Sequence, residues 1–354
     1  MDQLENVNVE RHELLVTPRA LKDELPLTAT AAETIKQARS AISDVLNKRD
    51  PRLLVVVGPC SIHDPDAARD YGRRLKDLAD ELSDDLLIIM RAYFEKPRTA
   101  LGWKGLINDP DLNDTFQIDR GLRIARSLLL ELSELGLPLA TEALDPITPQ
   151  YLQDLISWSA IGARTTESQT HREMASGLSC AVGFKNSTDG SLNAALNALK
   201  SASSPHRFLG LSSSGEVAVF HTRGNPNAHI VLRGGHDGPN YDAASISKCE
   251  QGIRSAGHEP AIMVDCRHAN SNKDHTQQPA VALNVAEQIR SGNHSIIGLM
   301  LESNIAAGQQ SIASIEEMAY GVSVTDACIG WEDTETLLRE VAARVSGNLQ
   351  RRVA

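Results

Sequence analysis

The sequence of 354 residues predicts an α/β protein, namely a (β/α)8 TIM barrel with an N-terminal extension and an inserted β-hairpin. Two observations carry this prediction. Eight short apolar runs alternate with segments of helical period, and the apolar residues within each run are continuous rather than alternating. Continuous apolar runs are typical of strands buried on both faces, as in a parallel sheet. A barrel of ~250 residues with extensions accounts for the whole length without a second core.

The eight predicted strands follow one another after residue 50. They are 53–57, 86–90, 139–141, 160–163, 181–184, 229–232, 262–264 and 296–301. Each is followed by a segment with helical spacing of apolar residues. Pro65 begins the first helix, Gly136 ends the second as a left-handed cap, and Thr148 opens the third. The other helices are predicted over 168–178, 191–200, 242–256, 280–291 and 333–350.

The predicted domain organisation is one catalytic barrel over 51–354 with two additions. Residues 1–50 form the N-terminal extension, and a β-hairpin at about 208–224 surrounds a serine-rich turn. A barrel needs neither addition to close. Both are therefore free to form subunit contacts or an effector pocket, and the alternative is that they merely cover the barrel floor.

The amino-acid composition argues against some classes of binding partner. The chain has 35 basic and 46 acidic residues and a net charge of −11, which argues against nucleic-acid binding or an anionic membrane surface. No apolar run approaches the ~20 residues of a membrane span, and charged residues interrupt the N-terminus where a signal peptide would lie. The five scattered cysteines are typical of a reducing compartment, so we expect a cytoplasmic protein.

The residues at the C-terminal ends of the predicted strands set this sequence apart. They are Cys60, Arg91, Glu142, Arg164, Lys185, Arg233, His268 and Glu302. A single charged residue after a strand is usually a solvated loop residue. Eight in succession predict a shared pocket, because these ends converge on one face of a barrel.

Cations dominate the predicted pocket, which contains Arg91, Arg164, Lys185 and Arg233. Their mutual repulsion predicts a multiply anionic small-molecule ligand, and guanidinium groups match phosphate and carboxylate oxygens. The turn that contains Lys96, Arg98 and Thr99 follows the second strand and predicts a second phosphate site.

A divalent metal is the predicted cofactor. Cys60, His268 and Glu302 end strands that become neighbours when the barrel closes, and Asp326 follows the last strand. A thiolate, an imidazole and two carboxylates suit a transition metal such as Mn, Fe, Co or Zn. The alternative is that Cys60 is a small buried apolar residue and His268 a hydrogen-bonded core residue.

Lys185 allows a different mechanism. A lysine at a strand end in a cationic pocket has a lowered pKa and can form a Schiff base with a carbonyl substrate. Both the metal and the Schiff-base mechanism predict carbon–carbon bond chemistry on sugar phosphates.

Seven segments together closely resemble the type I, alpha-subfamily 3-deoxy-D-arabino-heptulosonate 7-phosphate (DAHP) synthases, most of all the tyrosine-sensitive isoenzymes. The segments are 58–64 (GPCSIHD), 91–99 (RAYFEKPRT), 162–168 (GARTTES), 183–186 (GFKN), 232–235 (LRGG), 268–270 (HAN) and 325–328 (TDAC). The resemblance covers nearly the whole chain. It implies the first committed step of the shikimate pathway, in which phosphoenolpyruvate condenses with erythrose 4-phosphate and inorganic phosphate is released.

The resemblance also implies roles for individual residues. The implied metal ligands are Cys60, His268, Glu302 and Asp326. The implied contacts to phosphoenolpyruvate are Arg91, Lys96, Arg164, Lys185 and Arg233, and those to the phosphate of erythrose 4-phosphate are Arg98 and Thr99. The family is metal-dependent and uses no Schiff base, so Lys185 is interpreted as a fixed cation.

In the implied mechanism the metal polarises the aldehyde of erythrose 4-phosphate while C3 of phosphoenolpyruvate attacks it and water adds at C2. Glu142 is the candidate group to orient or deprotonate that water, with Lys96 or His268 as further candidates for proton transfer. Phosphate then leaves with C–O cleavage. The sequence departs from the family pattern at Ser187, at Arg267 and in a longer loop after Gly235.

Two alternatives to this activity remain at the level of sequence. A related barrel enzyme that condenses phosphoenolpyruvate with a five-carbon sugar phosphate would need a similar pocket. A non-catalytic regulatory paralogue is the other, although it should have lost a metal ligand or a phosphate-binding arginine.

Feedback regulation is also implied by the resemblance, in homodimers or homotetramers. The residues that match the family's pocket for an aromatic amino acid are Gln150, Leu178, Ser179, Phe208, Gly210 and Phe220. Phenylalanine-sensitive members tend to have serine at the position of Gly210. The smaller residue predicts room for a para-hydroxyl group, so tyrosine is the expected inhibitor.

Overall fold

Eight parallel strands close into a barrel in the computed structural model, which describes residues 4–314 and 317–353. The strands in chain order, including a two-stranded hairpin, are β1 (Leu53–Gly58), β2 (Leu86–Arg91), β3 (Leu139–Glu142), β4 (Trp158–Ile161), β5 (Ala181–Lys185), β6 (Arg207–Leu211), β7 (Val217–His221), β8 (Ala228–Leu232), β9 (Ile262–Asp265) and β10 (Ile296–Glu302). Around the barrel the order is β1-β2-β3-β4-β5-β8-β9-β10, and β10 pairs with β1. The predicted (β/α)8 barrel is confirmed.

The fourth strand is the one that the sequence placed wrongly. It was expected over 160–163 but begins at Trp158 and ends at Ile161. The reason is that Trp158 and Ser159 are buried polar or aromatic residues, and the indole nitrogen of Trp158 donates to Nε2 of His229 across the barrel at 3.1 Å. A partner inside the barrel satisfies that polar group, so the strand starts before its apolar run.

Helices separate the barrel strands as predicted. They are α1 (Pro18–Glu24), α2 (Ala29–Leu46), α3 (Pro65–Glu81), α4 (Ile118–Glu134), α5 (Thr148–Leu152), α6 (Gln169–Gly177), α7 (Asn193–Ala202), α8 (Ala243–Ser255), α9 (Gln278–Arg290) and α10 (Trp331–Leu349). Asp64 caps α3 by accepting hydrogen bonds from two backbone amides. Gly136 follows α4 with φ +87°, the left-handed conformation that glycine adopts most easily.

Strand β1 shows how the core is built. Leu54 and Val56 point into the barrel, whereas Leu53, Val55 and Val57 pack against the surrounding helices. Ile42 and Val45 of α2 join the interior cluster. The second helix of the N-terminal extension therefore closes one end of the barrel, and the opposite end carries the strand-end side chains.

The hairpin lies between β5 and β8 and contacts the N-terminal extension. Phe208 pairs with Phe220 across its two strands, and successive residues alternate between exposed and half-buried. The backbone amide of Arg19 in α1 donates to the carbonyl of Ser213 at 2.8 Å. The two additions that the sequence set apart from the barrel are thus in contact with each other.

All five cysteines are free and buried. Within residues 4–314 and 317–353 no helix has the length and apolarity needed to cross a membrane.

Candidate active site

Three of the predicted metal ligands lie together at the C-terminal end of the barrel. Cys60 follows β1 and Glu302 ends β10, and the pairing of these strands sets Gly58 beside Glu302. Asp326 comes from the connection between β10 and α10. The sulfur of Cys60 and one carboxylate oxygen each of Glu302 and Asp326 all lie within 4.8 Å of one another. We call these three residues the donor group, and its mixture of sulfur and oxygen suits a divalent transition metal.

A buried oxygen in the donor group supports this fit. Oε2 of Glu302 is buried and has no hydrogen-bond partner among the described residues. The other oxygen, Oε1, accepts a hydrogen bond from Nη2 of Arg91 at 3.3 Å. A buried carboxylate oxygen without a partner costs free energy unless a cation or a donor meets it. The donor group is therefore suited to a bound cation.

The fourth predicted ligand, His268, lies beside the donor group rather than within it. Its ring lines the same cleft as Asp326, and Nδ1 lies 2.9 Å from Oδ2 of Asp265. A carboxylate on one ring nitrogen orients a histidine and leaves the other nitrogen for a ligand. The role of His268 as a metal ligand stays a prediction.

Electrostatics couple the donor group to Lys96. Burial, reinforced by Glu302, raises the pKa of Cys60 to about 11. Nζ of Lys96 donates to the sulfur at 3.1 Å and opposes that rise. Burial disfavours the charge of Lys96, yet the surrounding anions hold its pKa above the ordinary value. A metal must displace the proton of Cys60, so metal binding here is linked to proton release.

Arg91, a predicted substrate ligand, lies beneath the donor group. It is 1% exposed, and its guanidinium carbon stands 4.0 Å from the centroid of the Tyr93 ring. It donates to the carbonyl of Pro59 as well as to Glu302, while its Nη1 has no partner in the part of the chain described. Arg91 thus orients Glu302, and its Nη1 remains as a donor that no described residue uses. Its contact with substrate stays a prediction.

A cleft beside the donor group gathers the other predicted substrate cations. It is lined by residues that include Lys96, Arg98, Glu142, Arg164, Lys185, Arg233, His268 and Asp326. Burial lowers the pKa of Arg233, and the neighbouring charge of Arg164 lowers it further. Cations that repel one another in a cleft are stabilised when an anion binds between them.

A second, wider cleft adjoins the first and shares Arg164 and Arg233 with it. Its lining includes Thr99. Nε of Arg164 donates to the hydroxyl of Thr99 at 3.1 Å, whereas Nε of Arg98 donates to the carbonyl of Trp103. Two adjoining cationic clefts offer space for two phosphorylated substrates.

Glu142 occupies the position predicted for it, at the end of β3 and in the lining of the first cleft. It is buried, and its Oε1 has no hydrogen-bond partner among the residues described. A Cβ atom at Gly162 would lie 2.3 Å from that oxygen, so a side chain there would move the carboxylate from this position. A buried carboxylate with a free oxygen is able to accept a proton or a hydrogen bond from water.

Asp265 is the residue of the site that sequence reasoning missed. It is fully buried at the end of β9 and accepts a hydrogen bond from Nζ of Lys185 at 2.7 Å. Burial alone would raise its pKa, but Lys185 and His268 hold it well below the ordinary value. The available signal was its place one residue beyond the predicted strand. This ion pair also favours Lys185 as a fixed ammonium over a Schiff-base nucleophile.

The predicted effector residues come from three parts of the chain. They are Gln150 in α5, Leu178 and Ser179 after α6, and Phe208, Gly210 and Phe220 in the hairpin. The rings of Phe208 and Phe220 stack with centroids 5.8 Å apart. The hydroxyls of Ser176 and Thr222, 2.7 Å apart, join α6 to the hairpin. A Cβ at Gly210 would lie 2.8 Å from the Phe220 ring, so the space beside this glycine already holds an aromatic side chain.

Glu95 in the motif after β2 yields a prediction about stability. It accepts a hydrogen bond from Thr148 at 3.2 Å, and burial, with Asp145 nearby, raises its pKa to about 8. Between the ordinary carboxyl pKa and about pH 8 the folded state binds more protons than the unfolded chain, so the free energy of unfolding falls as pH rises. We expect Glu95→Gln to stabilise the fold more at pH 8 than at pH 5. The increase in melting temperature over the wild type should be at least ~3 °C larger at pH 8. A pH-independent difference in thermal melts would contradict the raised pKa.

A closed parallel barrel with a cationic cleft and a donor group at its C-terminal end defines an enzyme of the (β/α)8-barrel class. The family model described as the DAHP synthetase I family matches residues 26–339. The chain therefore belongs to the DAHP synthetase I family. It is a DAHP synthase, the transferase that catalyses the first condensation of the shikimate pathway.

Curated relatives and a solved structure resemble the chain over nearly its whole length. It is 59% identical to the Tyr-sensitive phospho-2-dehydro-3-deoxyheptonate aldolases of Salmonella typhimurium and Escherichia coli, covering 100% of this chain and 99% of each relative. The Phe-sensitive E. coli enzyme is 53% identical, covering 97% of this chain and 98% of the relative. The phospho-2-dehydro-3-deoxyheptonate aldolase structure from Francisella tularensis superimposes with a TM-score of 0.94 at 47% identity, covering 97% and 99%.

Proposed function

We propose that this chain condenses phosphoenolpyruvate with erythrose 4-phosphate in a reaction that depends on one divalent metal at the donor group, and that tyrosine inhibits it. The observation that carries the metal dependence is the convergence of Cys60, Glu302 and Asp326 within 4.8 Å beside a cationic cleft. A bound divalent metal would supply Lewis acidity toward the aldehyde oxygen of erythrose 4-phosphate.

The cations of the first cleft bind and orient phosphoenolpyruvate in this proposal. Lys185 is held by Asp265, and Lys96 by Cys60, so neither ammonium has to be ordered when substrate arrives. Arg164 and Arg233 provide guanidinium groups for the phosphate and carboxylate oxygens. Preorganised charge of this kind stabilises the negative charge that develops as carbon–carbon bond formation proceeds.

Erythrose 4-phosphate binds toward the wider cleft, with Arg98 and Thr99 at its phosphate. The contact between Arg164 and Thr99 places this site next to that of phosphoenolpyruvate. Glu142 orients the water that adds at C2, because this residue lines the cleft and its Oε1 has no partner among the residues described. Lys96 and His268 are the groups within reach for moving a proton.

The test of this function is phosphate release from phosphoenolpyruvate in the presence of erythrose 4-phosphate, measured with and without a chelator. We expect turnover that the chelator abolishes and that added Mn, Fe, Co or Zn restores. A five-carbon sugar phosphate in place of erythrose 4-phosphate is the control for substrate class. Absence of turnover with every divalent metal would overturn the proposal.

Tyrosine is the proposed inhibitor, and the likeness to relatives named Tyr-sensitive supports this choice. The proposed pocket joins the hairpin to α5 and α6 on the side of the barrel that the N-terminal extension also contacts. We further propose that the enzyme is a homodimer or homotetramer, since this side carries exposed apolar residues such as Leu209 and Val219. Tyrosine must bind the less active state more tightly, and a coupling of ~1–3 kcal/mol suffices.

Gly210→Ser is the sharpest test of the effector pocket. The new side chain would displace the Phe220 ring, so we expect weaker tyrosine inhibition, or a shift toward phenylalanine, with turnover in the absence of effector near normal. The measurement is inhibition by each of the three aromatic amino acids. Arg207→Ser, at an exposed position of the same strand as Gly210, is the matched control and should leave inhibition unchanged. Wild-type insensitivity to tyrosine would refute the pocket.

A further inference from the structure

Arg267 stands beside the donor group, although nothing in the condensation requires it. The residue follows β9, directly before His268, and is 5% exposed. Its Nε lies 3.7 Å from Oε2 of Glu302, the carboxylate oxygen that no described donor satisfies. The same Nε donates to the carbonyl of Ala327 at 3.2 Å, in the loop that carries Asp326.

Two arginines therefore flank one metal-ligand candidate. Arg91 donates to Oε1 of Glu302 at 3.3 Å, and Arg267 faces Oε2 at the longer distance. Arg91 already fixes the orientation of the carboxylate. At 3.7 Å the second contact is too long for a hydrogen bond, so its main contribution is charge. Arg267 also helps to hold the pKa of Asp326 below its ordinary value, with Lys96 and His268 the larger charges.

The charge count shows the consequence for a cation. Glu302 and Asp326 supply two negative charges, and Cys60 adds a third only after losing its proton. Arg91, Lys96 and Arg267 supply three positive charges around them. The carboxylate charges at this site are therefore already compensated before a dication enters. The guanidinium of Arg267, 3.7 Å from Oε2 of Glu302, repels the dication in a buried setting where screening is weak.

We propose that Arg267 is a positioning residue that sets the metal affinity of the site, weakening it through its charge while it holds the Asp326 loop through Ala327. This inference rests on the proposed metal dependence. A site with this residue exchanges its metal more readily than one with a neutral residue at the same position.

The test is metal affinity of the full-length protein, measured by competition with a chromophoric chelator for Mn²⁺ and for Zn²⁺. Arg267→Gln removes the charge and retains an amide donor for the carbonyl of Ala327, and we expect it to tighten binding at least tenfold. Arg267→Lys keeps the charge and should stay within threefold of the wild type. Arg352→Gln is the matched control, because this buried arginine donates to the carbonyl of Ile296 at the opposite end of the barrel.

The outcomes separate this inference from the proposed function. A wild-type protein that binds no divalent metal would refute the metal dependence itself. A folded Arg267→Gln protein with unchanged or weaker affinity, beside a wild type that binds metal, would refute only the role of Arg267. Arg267→Ser is the second neutral variant, and thermal melts without metal report whether each variant folds. Failure of both neutral variants to fold would overturn the inference, because it would make Arg267 a structural residue.

Discussion

Replacement of Cys60 by alanine is expected to abolish turnover, with a loss of at least ~1000-fold. Loss of an outer partner of a metal ligand costs ~10–100-fold, and removal of a direct ligand should cost more. Cys60 supplies the only sulfur in the donor group, whose other members are Glu302 and Asp326. The measurement is phosphate release at saturating substrate over a range of metal concentrations, together with metal content after dialysis.

The matched control for this variant is Cys249→Ala. Cys249 is also a free, fully buried cysteine, but it lies in α8 and outside both clefts. Its replacement removes the same atom and should leave turnover and metal content unchanged. A Cys60→Ala protein that retains stoichiometric metal and wild-type turnover would show that the thiol is a core residue and no ligand.

The barrel was predictable because its physical signal is local. A strand buried on both faces needs a continuous apolar run, and β1 and β10 consist almost entirely of such residues. The signal weakens where a polar group finds a partner inside the barrel. Trp158 donates to His229 there, and the predicted start of β4 was wrong by two residues.

The sequence predicted which side chains would gather at this end of the barrel, and it predicted much less of how they pair. Closure of a barrel brings strand ends together whatever the loops do, which accounts for Cys60 and Glu302 lying side by side. Which acid meets which base depends on side-chain direction and depth. Asp265 was missed because it ends β9 inside the protein, where only its contact with Lys185 shows its importance. Arg91 likewise was predicted as one of the cations of the pocket, whereas in the structure it is buried.

These pairings change how the cationic cleft is understood. From sequence, the cations form one set that awaits an anion. In the structure, Lys185 and Arg91 already have carboxylate partners, namely Asp265 and Glu302. The cations with least internal compensation are those at the open end of the cleft, and Arg164 is among them. Binding of the substrate anions should therefore depend most on the cations at the open end of the cleft, where no buried carboxylate competes for the guanidinium.

Replacement of Arg164 by alanine is accordingly expected to raise the KM for phosphoenolpyruvate strongly. Loss of a charge-assisted hydrogen bond costs about 2–3 kcal/mol, which corresponds to a rise of roughly 30- to 150-fold. Arg164 is exposed, it lines both clefts, and among the described residues it forms no salt bridge. The folded state should thus tolerate its removal, and the loss should fall on substrate binding.

Steady-state kinetics with each substrate varied in turn measure this effect, with thermal melts to verify folding. Arg164→Lys should be intermediate, because it keeps the charge but loses the planar fork that matches a phosphate. Arg207→Ala is the matched control, since Arg207 is an exposed arginine of the hairpin, outside both clefts. Unaltered kinetics of Arg164→Ala would show that the open end of the cleft does not hold phosphoenolpyruvate. A rise confined to the KM for erythrose 4-phosphate would instead move Arg164 to the second substrate, to which its contact with Thr99 already connects it.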